Sequence, residues 1–226
     1  MGKQVTSVQA RIAARREKMA ERISGLGGGS SNLVRVKNRV FTMPEGLTVP
    51  KKLRGVVLGW NYFYQYYKEA YNPNKPAFPD CFALGDIAAN LAPSDNSPEQ
   101  QNDICATCQH NQWGSSPTGA GKACQNRVQI AFQIAEHGPE SEIYRISVSP
   151  TGLKNWKGYI EDLNERRADP VQVVTEFGFD DSVSYDRLTF NAVAKTDKDE
   201  LNAYAENFDE AERQLAIEPT PPSDDE

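Results

Sequence analysis

Four cysteines fall within 44 residues, at Cys81, Cys105, Cys108 and Cys124, and their spacing limits what this chain can fold into more than any other feature. The pattern is C-x23-C-x2-C-x15-C. Two residues between Cys105 and Cys108 let both sulfurs face one metal from a tight turn, and the gap to Cys124 is ordinary for such sites. Cys81 adds a fourth thiolate from across a long loop. Four sulfurs at about 2.3 Å close a tetrahedral Zn2+ site and leave no position for water. The expected zinc is therefore structural, and Lewis-acid catalysis has no seat. The competing uses are two disulfides, a C-x-x-C redox pair or an iron–sulfur cluster. His110, two residues past Cys108, is the alternative fourth ligand. Phe82-Ala83 follows Cys81 and Ile104 precedes the C-x-x-C, so the zinc-deaminase signature fails at both ends. The sequence has no P-loop and no G-x-S-x-G, and the expectation is a protein without enzyme activity.

The chain around the cysteines reads as mainly β with peripheral helices. Leu33 to Phe41 alternates basic and apolar residues, with Arg35, Lys37 and Arg39 on one face of a predicted strand. Leu53 to Tyr67 is a second strand candidate, and Arg127–Ala135, Ile143–Val148, Val171–Phe179 and Leu188–Ala194 follow. Prolines break 72–104 into loop. Ser149-Pro150 opens a predicted helix to about Arg167, and 197–216 reads as a last helix carrying Leu201, Tyr204, Phe208, Ala211 and Leu215 on one side. Long proline-rich connections and few helices suit an OB-type partly open barrel with a zinc-stapled insertion. The division expected is a basic helical arm and Gly/Ser linker over 1–32, a core over 33–196, and an acidic helix with a disordered tail over 197–226.

Charge and aromatics point to a polyanion. Net charge is −6, but residues 1–60 carry +9, residues 61–196 carry −6 and residues 197–226 carry −9. Nine of the 21 aromatic residues fall between 60 and 82. Trp60, Tyr62, Tyr64 and Tyr66 recur at period two, so a regular strand projects them from one face as a base-stacking row. Lys51, Lys52 and Arg54 are the nearby cations for a phosphate backbone. Trp113, Lys122 and Arg127 sit in or beside the glycine-rich segment after the C-x-x-C and complete the expected nucleic-acid-binding set. No apolar run reaches the roughly 18 residues of a membrane helix, and no apolar leader opens the chain, so a cytoplasmic protein is expected.

The runs Pro79-Asp80-Cys81-Phe82, Cys105-Ala-Thr-Cys108-Gln-His-Asn-Gln-Trp113-Gly-Ser and Gly121-Lys122-Ala-Cys124 resemble a cysteine motif of phage and prophage proteins, as does Ile146-Ser-Val-Ser-Pro-Thr-Gly-Leu153-Lys-Asn-Trp156. In layout the chain is similar to the zinc-containing single-stranded DNA-binding proteins of tailed phages. That resemblance implies an OB-type core, an inserted zinc site, a basic N-terminal arm for self-association and an acidic tail that recruits replication or recombination proteins in an infected host cell. Those proteins commonly use a histidine among their zinc ligands, whereas four cysteines stand here. The expected function is sequence-independent single-stranded DNA binding. The alternative is a zinc-stabilised adaptor or inhibitor of host machinery that does not touch DNA.

Overall fold

The protein is described by a computed structural model over residues 32–69 and 78–221. The arm expected over 7–24, its linker and the last five residues lie outside the described residues. Nine strands form one sheet: β1 (Leu33–Lys37), β2 (Val40–Thr42), β3 (Thr48–Pro50), β4 (Leu53–Tyr66), β5 (Cys81–Gly85), β6 (Gln125–Ile134), β7 (Ile143–Val148), β8 (Val173–Phe179) and β9 (Leu188–Lys195). Their order is β3-β2-β1-β7-β6-β4-β8-β9. Every pair is antiparallel except β1 with β7. The sheet is strongly curled into an open half-barrel.

The long strand β4 organises the sheet. One edge pairs with β6 along nearly its whole length, while the other is shared, β8 pairing with 53–55 and β5 with 62–66. A glycine is required where β4 lies between two partners: a Cβ on Gly55 would stand 2.5 Å from the Phe132 ring and 2.9 Å from the Gln133 carbonyl. The concave side is filled by Val57, Ile130, Phe132, Ile146 and Phe177. Helix α1 (Leu153–Glu165) lays Trp156, Tyr159 and Leu163 into the same core. On the convex side, α2 (Lys198–Ala205) and α3 (Phe208–Leu215) press Tyr204, Ala211 and Leu215 onto Val56, Leu58, Ala131 and Ile143. The acidic segment after 196 is thus a layer of the fold as far as Leu215.

Four local expectations are corrected. The continuous strand over 33–41 is a hairpin: Asn38 and Arg39 have φ 54 and 58, a two-residue turn that asparagine tolerates, and β1 ends at Lys37. Residues 72–104 are not all loop, because Cys81–Gly85 pairs with β4; five residues bordered by prolines gave too short a pattern to read. Strand β3 was unanticipated for the same reason. The last helix is two helices, because the Asn207 amide donates to Gln133 Oε1 at 3.1 Å and the Pro139 carbonyl at 2.8 Å and turns the chain. Among the described residues, no helix is long and apolar enough to cross a membrane.

Candidate metal centre and nucleic-acid interface

The four cysteines stand at the ends of short elements. Cys81 opens β5 opposite Tyr66, Cys105 and Cys108 bracket a single 3-10 turn, and Cys124 directly precedes β6. Backbone hydrogen bonds fix this frame: Cys105 N–H donates to the Leu91 carbonyl at 2.8 Å and Cys124 N–H to the His110 carbonyl at 2.7 Å. Side-chain amides of Asn111 and Gln112 donate to the carbonyls of Cys105 and Cys108, at 2.8 and 3.0 Å. All four thiols are free and buried, and all four line one small cavity of about 20 Å³. His110 lines it as well, but its ring is stacked on Tyr66 at 4.1 Å.

Burial is the main force on the thiols of Cys81, Cys105 and Cys124. It pushes Cys105 up to about 11 and Cys124 up to about 12, and the neighbouring sulfurs add to the rise. Cys81 is also raised by burial, with the Gln101 backbone and the Ser97 hydroxyl pulling the other way. Among the described residues, no group of three or more His, Cys, Asp or Glu side chains stands close enough to hold a metal as placed. Convergence on one cavity and mutual charge coupling among the four sulfurs are the observations that bear on a metal; a bound ion would require a further inward closing of the sulfurs.

The aromatic row is one-sided, but it does not stand free. β4 has a bulge between Val57 and Gly59, which reverses the alternation beyond it. Trp60, Tyr62, Tyr64 and Tyr66 therefore share the concave face with Leu53 and Val57, while Lys52 and Arg54 lie on the other face. The rings form a ladder: Trp156 to Trp60 at 6.0 Å, Trp60 to Tyr62 at 5.4 Å and Tyr62 to Tyr64 at 6.2 Å, all edge-to-face. Tyr64 is buried among Ala83, Leu91, Cys105 and Cys124. Trp60, Tyr62 and Tyr66 are half-buried. The ladder thus joins the barrel core to the cysteine cluster and leaves part of three rings open. Trp113, at 82% exposed, is among the described residues the large aromatic most open to solvent, on a loop tip where Gly114 N–H donates to the Gly121 carbonyl.

The cations separate into two sets. Arg39 is tied to Asp181 at 2.7 Å and to the Val183 carbonyl, and Asp186 accepts the Asn38 and Arg39 N–H groups at 3.0 and 2.8 Å. This set closes the seam between the β1–β2 turn and the β8–β9 loop. Lys52 and Arg54 are bound by buried Glu176, at 2.7 and 3.4 Å, and the Lys52 hydrogen bond holds that carboxyl below its usual range. Lys51 is exposed in a turn, and Lys122 donates to Asn111 Oδ1 at 2.9 Å. The second set is Arg35, Lys37 and Arg127, which converge on one groove of about 610 Å³ with the hydroxyl residues Ser147 and Ser149. The groove opens because β1 pairs with β7 only at Leu33 and Val34 and then diverges. None of the three cations has an ion pair among the described residues. Arg127 donates through Nη2 to Gln125 Oε1 at 2.7 Å, while its buried Nε has no acceptor.

Arg145 was missed in the sequence. It is buried beside the groove, its Cα paired with that of Leu33, and its Nε also lacks an acceptor. The signal was available as the one charge inside Ile-Tyr-Arg-Ile-Ser-Val. No family model matches this chain, and neither any curated protein nor any solved structure matches it.

Proposed function

We propose that this protein binds single-stranded DNA without sequence preference and without catalysis, on an OB-type half-barrel whose 78–124 segment is fastened by a structural Zn2+. The observation that carries the proposal is the groove at the β1–β7 divergence. Three cations without ion pairs meet there, beside buried guanidinium N–H groups that lack acceptors, and the carboxylate in the lining, Asp186, is held by the Asn38 and Arg39 N–H groups. Buried donors are rarely left unpaired, and phosphate oxygens are the acceptors a forked guanidinium fits best. The half-open rings of Trp60, Tyr62 and Tyr66, on the sheet face opposite to Arg127, and Trp113 on its loop are the rings offered to unpaired bases. Such stacking tolerates any base, with about 1–3 kcal/mol from each.

Cys81, Cys105, Cys108 and Cys124 are the residues that would hold the zinc. Four soft thiolates lining one small cavity suit Zn2+, and the segment they join has little apolar content of its own. The role is to lock Tyr64 in place between the half-open rings of Tyr62 and Tyr66. Service in phage replication or recombination, with the acidic tail and basic arm as partner contacts, belongs to the same proposal and rests on the layout of the sequence. The test is a titration of the reduced protein with oligo-dT, followed by tryptophan fluorescence at low ionic strength, with metal analysis of the same sample. Saturable quenching by a protein that carries one zinc per chain supports the proposal. A metal-free protein, or one indifferent to oligo-dT, refutes it.

A further inference from the structure

A second groove, of about 590 Å³, lies between the end of α1 and the outer edge of β9. Four cations line it, Arg166, Arg167, Lys195 and Lys198, and no carboxylate does. Three other grooves among the described residues do include carboxylates: Glu176 and Asp181 in one, Asp186 in the second and Glu136 in the third. Arg166 is paired with Asp162 at 2.8 Å, and the other three have no ion pair among the described residues. Two of the cations are placed against local preference. Arg167 follows the last turn of α1 at φ 56, where glycine is the usual residue and a side chain costs about 1 kcal/mol. Lys198 opens α2, where the helix dipole disfavours positive charge.

The floor is aliphatic, from Leu163, Val173 and Leu201, and no aromatic residue lines the groove. One wall is an open sheet edge. Among the described residues β9 pairs only with β8, and Asn191 to Lys195 are all exposed, Val193 at 43%. An extended segment can dock on such an edge by main-chain hydrogen bonds, with alternate side chains in the groove. A nucleic acid cannot form that ladder, and its bases would find no ring to stack on.

We infer that this groove binds an acidic, aliphatic-rich peptide of a partner protein, added as a strand beside residues 191–195. The carboxylates meet Arg167, Lys195 and Lys198, and the aliphatic side chains meet Val173 and Leu201. This site is separate from the groove proposed for DNA. The test uses a fluorescein-labelled eight-residue peptide of alternating Glu and Leu, read by anisotropy against the full chain, with oligo-dT titrated in parallel. Arg167→Gly with Lys195→Ala is the variant. The glycine relieves the left-handed backbone, so the fold is kept. The expected result is about a tenfold weaker peptide complex and an oligo-dT affinity within about twofold of the parent. Backbone N-methylation of the peptide, or Ser in place of each Leu, is expected to abolish binding. Equal binding of the N-methylated peptide, no binding of the parent peptide at low salt, or a parallel loss of oligo-dT affinity in the variant would overturn the inference.

Discussion

The clearest separation of roles within the aromatic ladder comes from truncating two adjacent rungs. Tyr64 is 8% exposed and packs on Cys105 and Cys124, whereas Tyr62 is half-buried one rung away, at a ring distance of 6.2 Å. Removing a fully buried aromatic side chain costs about 3–5 kcal/mol, from lost transfer energy and the cavity left behind. Tyr64→Ala should therefore lower unfolding free energy by about 3 kcal/mol or more and loosen the cysteine cluster. Tyr62→Ala should cost less, about 2 kcal/mol of stability, because part of its ring is already in water. On DNA the order reverses. Loss of one stacked base at about 2 kcal/mol weakens oligo-dT binding about 30-fold for Tyr62→Ala. Tyr64→Ala, assayed while still folded, should leave binding within a few-fold. Urea unfolding and oligo-dT titration of both variants measure the two effects. If Tyr62→Ala binds normally, or Tyr64→Ala is as stable as the parent, the assignment of rungs is wrong.

Salt should weaken oligo-dT binding with a log–log slope near −2, about −0.7 for each of the contacts from Arg35, Lys37 and Arg127, and Arg127→Gln should reduce that slope by about 0.7; a flat response excludes phosphate contacts. After zinc is chelated, thermal stability should fall as pH rises. Thiols raised by burial from 9.0 to about 11 and 12 contribute fully below pH 9, and their contribution is lost on the way up through the folded values. With zinc bound the sign is opposite, because protons displace the metal, so acid rather than base should unfold the holo-protein in a thermal melt. Gly55→Ala should destabilise by about 2 kcal/mol in urea, since its Cβ would overlap Phe132; an unchanged midpoint would show that β4 can shift.

Much of the fold is legible where apolar periodicity is long. β4, β6, β7, β9 and α1 match their expected spans within a few residues, because each carries a sustained pattern that one buried face demands. Short pairings were not legible. β3 has three residues and β5 five, and each is held by its partner rather than by propensity. The bulge in β4 was invisible too, yet it decides which face bears the rings: unbroken alternation puts Arg54 and Tyr62 together, and one extra residue sets them on opposite faces. Sequence separation also hid which cations are already neutralised. Glu176 lies more than 120 residues from Lys52 and Arg54 and pairs with both, and Asp181 pairs with Arg39. The cysteine spacing predicts one four-thiolate metal site; the four thiols line one cavity, and among the described residues no three of them stand close enough to hold an ion as placed.

Native mass spectrometry of the reduced full-length chain mixed with oligo-dT reads metal and nucleic acid in one spectrum. The expected species is one chain, one zinc and the oligonucleotide, with zinc absent when Cys105 and Cys108 are both changed to alanine. Nucleotide-bound chains that carry no metal, or zinc-loaded chains that take up no oligonucleotide, would contradict the link between the thiol cluster and the groove.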